Sequence, residues 1–364
     1  MVRTAHYELG EELKKVPEEF EKYNIEYHNI KEEPFRVYGL LYDEQEGYIR
    51  LTKEFVDTKP TGQKLKGLYT MDAGGRVRFK TNSRYVAIKV VFNNSHWVPV
   101  KMSETSSCGF DVSIKNKKGS FDHGATFENE KGNSKGFQSL VDLYNNETKD
   151  LVINFPIFGG VKELMVGVEK GSKIEKGSEY RNSKPVIFYG SSITHGAFAS
   201  RPSCTYEMVL SNKYDIDHTN LGFSGSCRAE EDIMEYLSKL DMSAFVLDYD
   251  YNSESEEYLE VTHYRAYRII RDAHPDIPIV LASRPNYDTY EYNGPRRRDI
   301  IKKTYDKAVE EGDKNIYFVD GKKCFKNFMK SGYTVDLSHP NDSGFRVMAN
   351  AFEKEFKKFY NNLV

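Results

Sequence analysis

Residues 186–196 read Val-Ile-Phe-Tyr-Gly-Ser-Ser-Ile-Thr-His-Gly. Four apolar or aromatic residues run without a break into a glycine and two serines. Such an unbroken run marks a strand covered on both faces, as in a parallel sheet. The glycine and serines after it read as the turn from that strand into a helix. The fold of the second half of the chain follows from this unit, because its pattern recurs.

Downstream, HTNLGF (218–223), AFVLDYDY (244–251), IPIVLAS (277–283) and NIYFVDG (315–321) are four further buried-type strands. Helices are expected between and after them, near 202–212, 229–239, 256–274, 295–311 and 343–360. In the last, Phe345, Met348, Ala349, Phe352 and Phe356 keep helical spacing, and Asn341 or Asp342 stands where a cap belongs. Strands alternating with helices predict an α/β domain: a five-stranded parallel sheet with helices on both faces.

Upstream the period changes to two. FRVYGLLY, YIRLT, RVRFKT, YVAIKVVFN, GFDVSIK, DLVINF and ELMVGVEK, spread from 35 to 170, are short strands separated by Gly, Asn, Asp and Lys turns. They predict an all-β sandwich. A short helix is expected at 10–22, with Leu13, Val16 and Phe20 on one side. The polar stretch GSKIEKGSEYRNSK (171–184) reads as the boundary, giving a sandwich domain at 1–175 and a second domain at 184–364.

Of the 364 residues, 52 are basic and 55 acidic, so the net charge of −3 argues against a broad nucleic-acid-binding face. No run reaches about 18 apolar residues, so no membrane span is expected. The first twenty residues lack the apolar core of a secretory signal. Cys108, Cys204, Cys227 and Cys324 are widely spaced without a CxxC pair. They read as free thiols, which points to a reducing cytoplasm. His263 and His274 have no partners at metal-ligand spacing, and no Gly-rich phosphate loop is present. No metal or cofactor is expected.

Ligands of an open parallel sheet meet the carboxyl ends of its strands. The residues just past each strand are therefore the candidates. They are Gly190 to Gly196, Gly222 to Ser226, Asn252, Ser283 to Asn286, and Asp336 to His339. A serine on a strand-to-helix turn is exposed for nucleophilic attack. It needs a histidine to take its proton and a carboxylate to orient that histidine. Asp336 and His339, three apart, suit those two roles. The Gly225 N–H, the Asn252 amide and the Ser192 N–H suit an oxyanion hole. Taken alone, a Gly-Ser-Ser after a strand is most often a turn, and Asp-x-x-His recurs in capping boxes. The weight lies in the joint pattern.

That pattern resembles the SGNH hydrolases, the GDSL esterase/lipase superfamily with its flavodoxin-like domain. The Gly-Asp-Ser block corresponds to Gly190-Ser191-Ser192, followed by Ile193-Thr194. The glycine of the second block corresponds to Gly225, the Asn of Gly-x-Asn-Asp to Asn252, and Asp-x-x-His to Asp336 and His339. Between Ser191 and Ser192, the resemblance selects Ser192 as nucleophile. Three positions depart from it: Ser191 replaces Asp, and Asp250 and Ser253 replace the Gly and Asp around Asn252. The first half resembles the jelly-roll-like sandwich that precedes some bacterial members, through a degenerate Gly-x-Asp-Leu-Tyr at Gly109 to Ser113.

The resemblance implies a serine esterase acting on short O-acyl esters, such as acetyl groups on a sugar or oligosaccharide. An acyltransferase using the same serine and a noncatalytic carbohydrate-binding relative are the alternatives. His195 and Arg284 are further candidate substrate contacts. A helix-turn or solvated histidine and a surface ion pair are the plainer readings of each. Trp97 reads as a sandwich-core residue, Cys227 as a small buried one, and Arg296-Arg297-Arg298 as a solvated helix face.

Overall fold

The computed structural model of the protein describes residues 3–5, 18–93, 97–129, 135–286, 293–325 and 332–363. The first half is an antiparallel sandwich. One sheet runs Arg3–Ala5, Gly136–Asp142, Tyr85–Phe92, Val161–Glu169, Ile25–Asn29. The other runs Ile174–Lys176, Arg76–Thr81, Lys149–Asn154, Phe110–Lys115, Phe121–Phe127, with Arg36–Tyr38 also paired to Arg76–Thr81. Alternate residues of both sheets fill its core, among them Val77, Phe79, Ile88, Phe110, Phe137 and Ile153. The expected helix at 10–22 lies mostly outside the described residues; Glu18–Glu21 is helical and Phe20 is buried.

The second half is the expected parallel sheet. Its strands are β1 (Val186–Gly190), β2 (His218–Gly222), β3 (Ala244–Asp248), β4 (Ile279–Ala282) and β5 (Ile316–Val319), in the spatial order β2-β1-β3-β4-β5. Every residue of β1, β3 and β4 is buried, because helices cover both faces. Those helices are α1 (Ser192–His195), α2 (Tyr206–Tyr214), α3 (Glu231–Leu237), α4 (Glu256–Ala273), α5 (Gly294–Glu310) and α6 (Asp342–Phe356). α4 starts at a Ser255 cap and α6 at an Asn341 cap, each side chain accepting from a backbone N–H three residues on. Asp342, the other cap candidate, instead accepts from Ser200 N at 2.8 Å. Parallel register sets Gly190 level with both Gly222 and Asp248, so the ends of β1, β2 and β3 share one edge.

Five strands escaped the sequence reading, the short Arg3–Ala5 among them. Phe121–Phe127 has a polar, exposed middle, and Ile174–Lys176 sits inside the stretch read as a linker. Ile25–Asn29 and Gly136–Asp142 carry no clean alternation. A larger departure concerns residues 49–69. Ile49, Leu51, Phe55, Val56, Leu65 and Tyr69 leave the sandwich. They pack with Ile187, Tyr189, Leu221 and Phe223 in the core beneath the parallel sheet.

The two halves also meet through buried charge. In Arg76–Thr81, Val77 and Phe79 face the sandwich core, so the period of two turns Arg76 and Arg78 the other way. Both are fully buried. Arg76 pairs with Asp217, and Arg78 Nη1 lies 3.0 Å from Asp215 Oδ1, just before β2. Tyr180 covers the Arg78 guanidinium at 4.1 Å. Asp111, the acid of the degenerate Gly-x-Asp-Leu-Tyr motif, is fully buried and accepts from Ser203 N at 3.1 Å. Breaking a buried pair from one side leaves an uncompensated charge, at a cost of about 3–5 kcal/mol. Asp215→Asn keeps the shape and the left-handed backbone of that residue (φ 54°). It should lower unfolding stability by about 3 kcal/mol, read as a lower denaturant midpoint.

Candidate active site

β1 ends in Gly190, and α1 begins at once. Ser191 is buried: its N–H donates to Asp248 O at 3.2 Å and its Oγ accepts from Ile193 N at 3.2 Å. Ser191 therefore caps the helix, and the half-buried Ser192 is the serine turned outward. Ser192 Oγ lies 2.8 Å from His339 Nε2.

His339 stands on a turn closed by Val335 N donating to His339 O at 2.9 Å. Asp336 lies inside that turn and binds it twice. Its Oδ1 accepts from His339 N at 2.8 Å, and its Oδ2 lies 2.9 Å from His339 Nδ1. Partial burial opposes ionisation of Asp336. The His339 N–H and imidazole and the Ser338 N–H outweigh it and hold the carboxyl below the usual carboxylate range. A carboxylate on Nδ1 fixes the tautomer that leaves Nε2 free to accept a proton.

The oxyanion candidates lie on the same edge. Gly225 follows β2 in a turn closed by Ser226 N to Phe223 O at 3.0 Å, with φ +71° and open space around its Cα. Among the described residues, neither Ser192 N nor Gly225 N donates to a protein acceptor. Asn252 ends a one-turn helix after β3, and its Nδ2 donates to Phe223 O at 3.1 Å, which ties it to the Gly225 turn.

Arg284 requires a correction. It is fully buried rather than turned to a substrate. It pairs with Asp250, Nε to Oδ2 at 3.3 Å, and stacks on Tyr251 at 4.1 Å. Arg297, expected on a solvated face, is also buried. Its guanidinium donates to Asp250 O at 2.6 Å and Ser253 O at 3.1 Å. Two arginines thus brace the turn that carries Asn252, at the positions where this chain departs from the Gly-x-Asn-Asp pattern.

His195 needs a similar correction. It is fully buried, with Nε2 2.9 Å from Ile157 O and its ring 4.3 Å from Phe158. Burial pushes its pKa well below the usual histidine value, so the ring is neutral. Trp97, expected in the sandwich core, is 46% exposed and rests edge-on against Phe158 at 5.1 Å.

Several neighbours of the site were not singled out from sequence. Phe198 lies 4.9 Å from the His339 ring, Lys101 Nζ lies 3.8 Å from Asp336 Oδ2, and Asn286 donates to Leu337 O. Phe198 and Lys101 have no motif around them. Asn286 stood among the residues after β4 without a role. Among the described residues no cluster of His, Cys, Asp or Glu could hold a metal, and no helix is long and apolar enough to cross a membrane.

The comparisons divide the chain near residue 180. Residues 183–357 match the model of the GDSL-like lipase/acylhydrolase family, and residues 25–174 match the N-terminus of SGNH hydrolase-type esterases. Residues 183–357 are thus a domain of the GDSL-like lipase/acylhydrolase family, preceded by the N-terminal domain of SGNH-type esterases. A protein from Bacteroides ovatus, described as a GDSL-like lipase, is 26% identical to this chain. Its TM-score is 0.80 over 93% of this chain and 98% of that one. The salicylyl-acyltransferase SsfX3 of a tetracycline biosynthetic pathway shares the fold at 19% identity, TM-score 0.74, over 92% and 98% of the two chains. An acetyl xylan esterase from Butyrivibrio proteoclasticus does so at 12% identity, TM-score 0.56, over 93% and 100%. No curated protein matches the chain.

Behind α1 the carboxyl of Asp248 is buried beside Thr194 Oγ1 (3.3 Å) and Tyr206 OH (3.1 Å). Burial, with the charge of Asp250 adding to it, pushes its pKa up to about 8. Glu207, bonded to Asn220, is likewise pushed up to about 8 by burial. Below pH 8 the folded state keeps these protons, whereas the unfolded chain gives them up near pH 4. The stability these two groups contribute therefore falls as pH rises between those values. Asp248→Asn removes one of the two contributions. It should shift the slope of stability against pH between 4 and 8 upward relative to wild type, measured by equilibrium unfolding across that range.

Proposed function

We propose that the protein is a serine esterase that removes short acyl groups, acetyl foremost, from hydroxyls of a carbohydrate. The observation that carries the reading is the continuous chain Ser192 Oγ, His339 Nε2, His339 Nδ1, Asp336 Oδ2, with contacts of 2.8 and 2.9 Å at its two hydrogen bonds. Ser192 Oγ attacks the ester carbonyl as its proton passes to His339 Nε2. The negative charge that develops on the carbonyl oxygen meets the free N–H groups of Ser192 and Gly225 and the Asn252 amide. On collapse, the C–O bond to the alcohol breaks and His339 returns the proton to the departing oxygen. Water, losing a proton to His339, then attacks the acyl-serine. The acid leaves and Ser192 regains its hydrogen.

The carbohydrate part of the proposal draws on the shared fold with carbohydrate and acetyl xylan esterases. The short acyl part draws on the polar groups at the site, Lys101, Asn252 and Asn286. The noncatalytic alternative is disfavoured, because a decayed site has no reason to keep these contacts in register.

p-Nitrophenyl esters from acetate to octanoate should be turned over with rates falling along the series, and acetylated xylo-oligosaccharides should release acetate. Ser192→Ala should lose at least about a thousandfold in kcat and should not be labelled by a fluorophosphonate. Equal activity of the two proteins would remove Ser192 from the mechanism. Acyl transfer to an added alcohol in preference to water would turn the reading to an acyltransferase.

A further inference from the structure

The second-block turn, residues 222–225, holds the Gly225 N–H in place, and each residue before it is gripped from outside. One grip originates in the first half of the chain and a second is anchored to it. Arg50, nearly fully buried, extends its guanidinium across the junction. Nη1 donates to Gly222 O at 2.5 Å and to Asn220 O at 3.4 Å, and Nη2 to Leu68 O at 2.8 Å. The same group lies over the Phe223 ring at 4.4 Å. Its own backbone is fixed by Arg50 N to Tyr69 O at 2.8 Å.

The second grip is His195. A backbone carbonyl only accepts, so the 2.9 Å contact with Ile157 O puts the imidazole proton on Nε2. Nδ1 is then an acceptor, and it faces Ser224 N at 3.4 Å and Ser224 Oγ at 3.2 Å. His195 also closes α1, three residues after Ser192. One ring therefore joins the sandwich carbonyl, the nucleophile's helix and the residue before Gly225. Phe223 itself is held by donation to Gly190 O at 2.9 Å and by the Asn252 amide on its carbonyl.

We infer that Arg50 and His195 are positioning residues through which the first half of the chain sets the oxyanion hole. Neither touches substrate. Arg50 fixes where the Gly222 carbonyl and the Phe223 ring sit, and His195 fixes Ser224. Together they leave the Gly225 N–H one orientation, toward the carbonyl oxygen of an ester on Ser192. Burying a guanidinium is costly unless acceptors replace its water. Carbonyls from both halves supply that replacement, so the group is stable only when the halves are docked. The inference rests on the esterase reading, since it concerns the donors that reading uses.

The test uses the full chain in four variants. His195→Gln keeps a donor toward Ile157 O and loses the acceptor for Ser224. His195→Asn does the reverse, placing Oδ1 near the position of Nδ1. Arg50→Met removes the guanidinium, and Arg50→Lys keeps its charge without the fork. Steady-state kinetics on p-nitrophenyl acetate are corrected for active sites counted by fluorophosphonate labelling. A misplacement of about an ångström at a catalytic donor costs up to about a hundredfold. Arg50→Met and His195→Gln should therefore lower kcat about 10- to 100-fold with KM within about twofold. Arg50→Lys should fall between wild type and Arg50→Met, and His195→Asn should stay within about threefold of wild type. Amide hydrogen exchange in the segment 220–227 should rise in Arg50→Met and His195→Gln while the segment around Asp336 and His339 stays protected.

Wild-type kcat in folded Arg50→Met and His195→Gln, or His195→Asn as impaired as His195→Gln, overturns the inference. So does exchange that rises everywhere alike. If wild type neither hydrolyses esters nor takes the label, the esterase reading falls, and exchange in 220–227 still decides whether the two side chains hold the turn.

Discussion

The site depends on how closely α1 lies against the ends of β1 and β2. A Cβ on Gly190 would collide with the Thr194 hydroxyl and Asp248 O, and one on Gly222 with the backbone at Thr194 and His195. With no side chain at either strand end, the first turn of the helix nests into the sheet edge. That contact brings Ser192 level with the turns after β2 and β3, and it presses His195 into the junction with the sandwich. The register of the sheet, the outward serine and the gripped second-block turn all follow from a space that two hydrogen atoms leave open.

The junction between the halves is ionic at one end and apolar at the other. Arg76 and Arg78 reach Asp217 and Asp215 below β2, whereas Phe55, Val56 and Leu65 lie against the face of the sheet. Arg50 stands between these regions and has features of both, carbonyl acceptors around its edge and an aromatic ring on its face. Apolar burial supplies cohesion without direction. The buried charges tolerate few alternative geometries, since any displacement strands one of them. The pairing of the two kinds of contact fixes the sandwich in one orientation over the hydrolase sheet.

Much of the architecture was legible because it rests on short-range pattern. The unbroken apolar runs of β1, β3 and β4, and the helical stripe from Phe345 to Phe356, are repeated locally and have no competing reading. The order Gly-Ser-Ser, Gly, Asn, Asp-x-x-His was legible because the chemistry fixes residue type and the turns fix spacing. The roles of Arg284, Arg297, His195 and Arg50 were hidden. Their partners are distant in sequence: Arg284 reaches 34 positions to Asp250, His195 reaches 38 to Ile157, and Arg50 reaches 170 to Asn220. An arginine in Tyr-Ile-Arg-Leu-Thr looks like the solvent face of a strand until the surface opposite it is known. The strand Ile174–Lys176 was hidden for another reason: an edge strand of three residues needs no apolar alternation to pair.

The packing of residues 49–69 bears on inheritance. Two family descriptions meet near residue 180, as though a sandwich and an enzyme had been joined end to end. The core does not respect that seam. A recombination there would pass on an enzyme stripped of Phe55, Val56 and Leu65 over one face of its sheet, and a sandwich trailing a greasy flap with nothing to cover. On this packing the two halves cohere as one unit, and a cut at the seam would uncover a face of the sheet.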